Sequence, residues 1–246
     1  MDNTLFVGLS RQMTLRREMD VIANNIANLD TTGFKVESLM TAAEPVAPAM
    51  TQGGPKPVKF VTASGVARDF GQGALRRTDS PLDVAIEGQG LFHLRAADGS
   101  DRYTRDGRFQ ADPTGRITTQ AGAPVLDDGG GEITVDPEKG PVTVAIDGTV
   151  SQGSQRIGKI AVVTFANLGA LEKTGDNLFK NTSNLQPAPA PDARLRQGML
   201  EGSNVQAILE ITRMVEVSRA YEQTARMMDS EAELSRSAIS RMGKVQ

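Results

Sequence analysis

Two apolar stripes of helical period, one at each end of the chain, constrain its fold more than any other feature. Leu15, Met19, Ile22, Ile26 and Leu29 recur at alternating spacings of four and three residues. Toward the other end, Ala207, Ile211, Met214, Ser218, Tyr221, Ala225, Met228, Ala232, Ser235, Ile239 and Met242 carry the same alternation almost to the last residue. A sustained spacing of about 3.5 residues marks a seam that lies along another helix. The stretch between the stripes is rich in Gly, Thr and Val and reads as β-structure. The expected fold is therefore α+β, with coiled-coil-like N- and C-terminal helices paired around an antiparallel all-β domain.

Four segments follow. Residues 1–33 form the N-terminal helix of the coiled-coil layer, with Asn3 or Thr4 as N-cap and a stop near Gly33, which can take the left-handed cap conformation. Residues 34–80 read as an extended linker with short strands, because Pro45, Pro48, Pro55 and Pro57 forbid a helix. Residues 81–200 are the β domain. There Leu82, Val84 and Ile86 alternate with polar neighbours, Asp98-Gly99 marks a hairpin, and turn residues recur at intervals of roughly ten. Within it, LQPAPAP at 185–191 reads as a second stiff linker. Residues 201–246 hold the long C-terminal helix, with Ser203 as its expected N-cap. If residues 204–242 are all helical, the rod is about 58 Å long at ~1.5 Å per residue. The N-terminal helix is too short to cover that stripe, so the uncovered part implies partners from other chains.

Asn24, Asn25 and Asn28 crowd the last turns of the first helix. Asn is a poor helix former because its amide competes for backbone hydrogen bonds. Either the helix end frays, or these amides bind the backbone of a neighbouring segment.

Composition closes off several functions. The net charge of −3, without a long basic run, gives no footprint for nucleic acid. The absence of cysteine removes disulfides, thiolate nucleophiles and Cys metal sites. No apolar run approaches the ~20 residues that span a bilayer, so direct membrane insertion is not expected. Neither is there a secretory signal pattern at the N-terminus, so composition alone points to the cytosol unless export bypasses such signals. Gly88-Gln89-Gly90 lacks the third glycine and the helix of a dinucleotide site. The single histidine, His93, has no second His or Cys with which to build a triad. Only a pocket shared by Asp83, Glu87 and His93 would revive an enzyme. The Asp-Gly stretches are turn chemistry and lack the spacing of a calcium loop. No catalytic residue, cofactor site or metal site is expected.

The segment MDVIANNIANLDTTGFK (residues 19–35) resembles the N-terminal signature of the bacterial flagellar rod and hook family. LDVAIEGQGLFHL (82–94), YTRDGRF (103–109) and GAPVL (122–126) resemble its central β module. LEGSNVQAILEITRMVEVSRAYEQTARMMDS (200–230) resembles its C-terminal helix. The three motifs come in the family's order and cover nearly the whole chain. Size and the opening residues resemble the proximal-rod members most, with the distal-rod protein next.

The resemblance implies a structural subunit without enzymatic activity. Such a subunit assembles helically with copies of itself and with other rod subunits into a drive shaft that crosses the periplasm and transmits torque to the hook. It also implies export through the flagellar type III apparatus, without a cleaved signal peptide. The expected assembly interface comprises the stripe residues above, except Ser235, together with Asn24, Asn25 and Asn28.

Overall fold

In the computed structural model, which describes residues 2–49, 56–183 and 185–242, both apolar ends are helical. Helix α1 spans Asp2–Ala27 and α2 spans Ala207–Met242. The chain divides into two units. The first holds both helices and the segment Glu37–Arg68; the second holds Asn28–Val36 and Asp69–Val205. The β unit thus takes in a piece of chain from each side of the expected 81–200 domain.

The first unit contains a long antiparallel ribbon, β1 (Glu37–Ala49) and β2 (Lys56–Arg68), where an extended linker with short strands was expected. Pro45 lies opposite Lys59 and Pro48 opposite Pro57, with a register shift between Val46 and Pro48. Prolines are tolerated because both strands of a two-stranded ribbon are edges, where a missing N–H points outward at no cost. Residues 50–55 of the proline-rich stretch lie outside the described residues. Thr14 and Asn25, three helical turns apart on one face of α1, both bind the ribbon.

The helix ends differ slightly from expectation. After Ala27 the chain turns at Asn28, whose carbonyl and side-chain oxygens accept from the Thr31 N–H (3.2 Å) and hydroxyl (3.1 Å). Helix α2 begins at Ala207, and Ser203 does not cap it. The Ser203 hydroxyl instead accepts from Val205 N at 3.2 Å, while Asn204 ties extended backbone to Val36, Asp69 and Gly71. At ~1.5 Å per residue α2 is about 54 Å long.

The β unit runs β3 (Leu75–Arg77), β4 (Val84–Glu87), β5 (Leu91–Arg95), β6 (Asp101–Thr104), β7 (Phe109–Ala111), β8 (Ile117–Thr119), β9 (Val142–Val144), β10 (Thr149–Gln152), β11 (Gln155–Lys159), β12 (Val162–Thr164), β13 (Leu171–Lys173), β14 (Leu178–Asn181), β15 (Ala188–Pro189), β16 (Arg194–Gln197) and β17 (Met199–Glu201). The largest sheet has the order β13-β14-β6-β5-β12-β15, and β9–β11 form a second. The first strands pair with the last, β3 with β17 and β4 with β16. All strand pairings among the described residues are antiparallel.

Strand β5 separates two small cores. Phe92 and Leu94 point into one, with Ile86, Phe109, Val125 and Val150. Leu91 points into the other, with Tyr103, Phe165, Leu171 and Phe179. The alternation read at 82–86 is not a half-buried face: Val84, Ala85 and Ile86 are all buried. The LQPAPAP stretch is not a free linker either, since its centre is the sheet-edge strand β15.

The Asp-Gly and Asp-Pro turns carry an acid-side prediction. Asp112 accepts from the hydroxyl and N–H of Thr114 and from Arg116, which holds its carboxyl far below the usual range. Bonds from Ser100 and Thr149 lower Asp98 and Asp147 in the same direction. A folded-state pKa below the unfolded value gives stability that is complete above the unfolded value, near pH 4, and drains away as the pH falls toward the folded value. Urea unfolding followed from pH 5 to pH 2 is expected to show this loss, with a shallower slope in Asp112→Asn.

Candidate assembly interface

In the first unit, Leu15 and Ile22 of α1 and Val217 of α2 are buried together, with Met19, Ile26, Met214, Ala220 and Tyr221 packed around them. The helices run antiparallel: Asn25 reaches Glu210 near the start of α2, while Gly8 lies against Met228 farther along it. Gly8 has little room there, since a Cβ would stand 2.9 Å from Met228 Cγ.

Four of the five expected α1 residues, Leu15, Met19, Ile22 and Ile26, line this seam. Leu29 lies beyond the helix, half-buried in the second unit. On α2, Met214 and Tyr221 join the core, while Ala207, Ser218, Ala225, Met228 and Ala232 are half-buried. Ile211 is 53% exposed. The side chains of Ser235, Ile239 and Met242 lie outside the described residues. The covered stripe is centred on Glu210, Met214, Val217, Tyr221, Thr224 and Met228, the same alternation in a shifted register. Two polar members, Glu210 and Thr224, hide that register from a hydrophobicity pattern.

Glu210 is polar for a reason. It is buried in the first turn of α2, where the helix dipole favours an anion. One carboxylate oxygen accepts from Asn25 Nδ2 at 2.8 Å and the other from Arg213 at 3.0 Å. Asn25, 0% exposed, also clamps one residue of β1 on both sides: Nδ2 donates to Glu37 O at 2.7 Å and Oδ1 accepts from Glu37 N at 2.9 Å. One amide therefore ties α1, β1 and α2. Of the two readings of the Asn cluster, backbone binding holds for Asn25; Asn24 is exposed and Asn28 makes the turn that follows α1.

Both helices carry a second apolar stripe turned away from the seam. On α1, Phe6, Leu9 and Met13 recur at i, i+3 and i+7 on the side opposite Leu15, and Met13 is 66% exposed. On α2, Ile208, Ile211 and Val215 do the same opposite Val217, and Ile208 is 81% exposed. Large apolar side chains grouped in this way on long helices are a contact surface more often than a solvent face.

The second unit holds a buried ionic cluster that charge counting along the chain did not reveal. Lys35, Arg105 and Glu201 are each less than 5% exposed. Lys35 Nζ donates to Glu201 Oε1 at 2.6 Å and to Gly71 O at 2.8 Å. Arg105 pairs with the other Glu201 oxygen and donates to the carbonyls of Ile86 (3.0 Å), Gly88 (2.6 Å) and Gly90. Gly73 N donates to Glu201 Oε1 at 2.8 Å. Burial pushes the Lys35 ammonium below its usual value, with Glu201 opposing and Arg105 adding to the shift. Gly33 sits beside this cluster with φ +69°, and its N–H donates to Glu201 O at 2.8 Å. A Cβ at Gly33 would lie 2.6 Å from the Arg105 carbonyl carbon, so the position needs glycine for space as well as for conformation.

His93 and Glu87 find separate partners. His93 stacks on Tyr103 with ring centroids 5.2 Å apart, whereas Glu87 pairs with Arg196 at 2.7 Å. Among the described residues, no group of three or more His, Cys, Asp or Glu is placed to hold a metal ion. No described helix is long and apolar enough to cross a membrane.

Comparison with known proteins places three family descriptions along the chain. Residues 5–35 match "Flagella basal body rod protein", 85–152 match "Flagellar hook protein FlgE/F/G D1 domain", and 196–241 match "Flagellar basal body rod FlgEFG protein C-terminal". The flagellar basal-body rod protein FlgF of Caulobacter vibrioides is 59% identical over 245 residues, covering 100% of both chains. FlgF of Mesorhizobium japonicum is 35% identical over 99% of both. FlgG of Bacillus subtilis, also a basal-body rod protein, is 33% identical over 94% of this chain and 96% of its own.

Proposed function

The chain belongs to the family of flagellar basal-body rod proteins and is a structural subunit of the rod, and from that premise we propose that α1 and α2 carry its contacts with other subunits. The observation behind this reading is the pair of uncovered apolar stripes, Phe6–Leu9–Met13 and Ile208–Ile211–Val215, in a chain with full-length similarity to rod proteins. Each stripe offers a seam of about two helical turns to a neighbouring copy or a related rod subunit. Head-to-tail contacts that do not close on themselves propagate into a filament. Long helices packed along such seams supply the stiffness that torque transmission demands.

The subunit is proximal in the rod, a reading supported by its 59% identity over the full chain to FlgF of Caulobacter vibrioides. It works in the periplasm, reaches it through the flagellar type III export apparatus without a cleaved signal, and has no enzymatic role. Of the expected contact residues, Ile211 and Asn24 act in this reading together with the outward faces, whereas Leu15, Met19, Ile22, Ile26, Met214 and Tyr221 pack within the chain.

Ile211→Asp tests it. Ile211 is already half in solvent, so the variant is expected to keep the wild-type melting temperature within the scatter of ordinary surface substitutions. In a subunit–subunit seam the same carboxylate is buried without a partner, at a cost of several kcal/mol. The expected strain produces folded protein, no completed rods and no motility. A motile Ile211→Asp strain with intact basal bodies would remove this face from the assembly surface.

A further inference from the structure

We propose that the LQPAPAP segment is an edge guard, which keeps the large sheet of one copy from pairing with the sheet of another. Two independent features meet there. Residues 160–165, Ile-Ala-Val-Val-Thr-Phe, have high β-propensity and carry neither charge nor proline. Such a six-residue stretch on an open edge is a template for cross-chain pairing. It contains β12, which has β5 on one side and would be the sheet edge on the other if β15 were absent.

Strand β15 closes that side and is itself inert. Thr164 lies opposite Ala188, Val163 lies opposite Pro189, and Ala190 N donates to Val162 O at 3.0 Å. Along a strand, N–H groups point alternately to the two neighbours. The donors at 188 and 190 therefore face β12, and position 189, within the two-residue strand, faces outward. Position 189 is proline, and Pro187 and Pro191, the latter in the turn closed by Ala193 N on Ala190 O, likewise have no N–H to offer. The exposed edge consequently presents carbonyl acceptors and no donor, so an incoming strand meets half a ladder. Ala188 and Pro189 are exposed, which makes this a real boundary of the sheet.

The partner being excluded is a second copy of this chain, offering its own sheet edge. The test replaces Pro187, Pro189 and Pro191 together by Thr in the full-length protein and follows hydrogen exchange at the amide introduced at 189. That amide reports on edge pairing directly and is blind to association through the helices. The expected result is native far-UV circular dichroism, with protection at 189 rising about tenfold or more between dilute and concentrated protein.

The matching Lys triple variant restores the same N–H groups but adds charge, and is expected to remain unprotected at every concentration. An unprotected amide at 189 in the Thr variant, or equal protection in both variants, would overturn the proposal. Should the triple Thr variant not fold, Pro189→Thr alone carries the same readout, because position 189 faces outward in the centre of the edge.

Discussion

Glu201→Ala is expected to destabilise the β unit by about 3–5 kcal/mol, the usual cost of breaking a buried ion pair from one side. Glu201 lies between two buried cations, Lys35 and Arg105, and it also accepts from Gly73 N. Its loss leaves two uncompensated charges and an unpaired N–H. The reverse substitution is far milder. Lys35→Met removes one charge of a cluster whose balance is already positive, and leaves the Arg105–Glu201 pair intact.

Urea unfolding of the two variants should therefore differ several-fold in cost. Equal costs would mean that packing, and not charge, governs the site. The pH dependence follows the same logic. The folded state lowers the pKa of Lys35, so it releases that proton before the unfolded chain does. This group then makes stability rise with pH between the folded value and the unfolded value near 10.4, and Lys35→Met should abolish that slope.

The two ends and the β character of the middle were legible because each is a repeated local pattern. Leu15, Met19, Ile22 and Ile26 lie where their spacing placed them. The Asp98-Gly99 hairpin joins β5 and β6 as its turn chemistry required, with Gly99 at φ +77°. What was hidden falls into two physical classes. Prolines disguised strands in β1, β2 and β15, since an edge strand tolerates the residue that local rules treat as a breaker. Long-range polar pairing left no periodic trace: Lys35 and Glu201 are 166 residues apart, and Asn25 and Glu210 are 185 apart. Asn25 still gave a clue, because three asparagines at a helix end contradict helix propensity and so require a compensating contact. Glu210 gave the opposite of a clue. As a charged residue in the buried seam of α2 it shifted the apparent stripe onto Ile211, which faces outward.

That buried amide is the most informative position in the helical unit. Asn25→Ala is expected to cost about 2–4 kcal/mol, from the loss of a hydrogen bond to a charged group and the stranding of buried polar groups. It removes at once the Asn25 partner of the Glu37 N–H, of the Glu37 carbonyl and of one oxygen of the Glu210 carboxylate. Exchange at the Glu37 amide measures the effect where it arises: the amide donates to Asn25 Oδ1 in the wild type and should exchange faster in the variant. Asn25→Asp separates hydrogen bonding from shape. It keeps the acceptor for Glu37 N but replaces the donor nitrogen, 2.8 Å from Glu210 Oε2, by an anionic oxygen. Two carboxylates at that distance repel unless they share a proton, which raises the pKa of one of them. The Asp variant should thus be at least as unstable as the Ala variant at neutral pH and recover as the pH is lowered toward 5, while Asn25→Ala shows no such recovery. An Asp variant as stable as wild type at pH 7 would mean that the Asn25–Glu210 contact contributes nothing to joining α1 with α2.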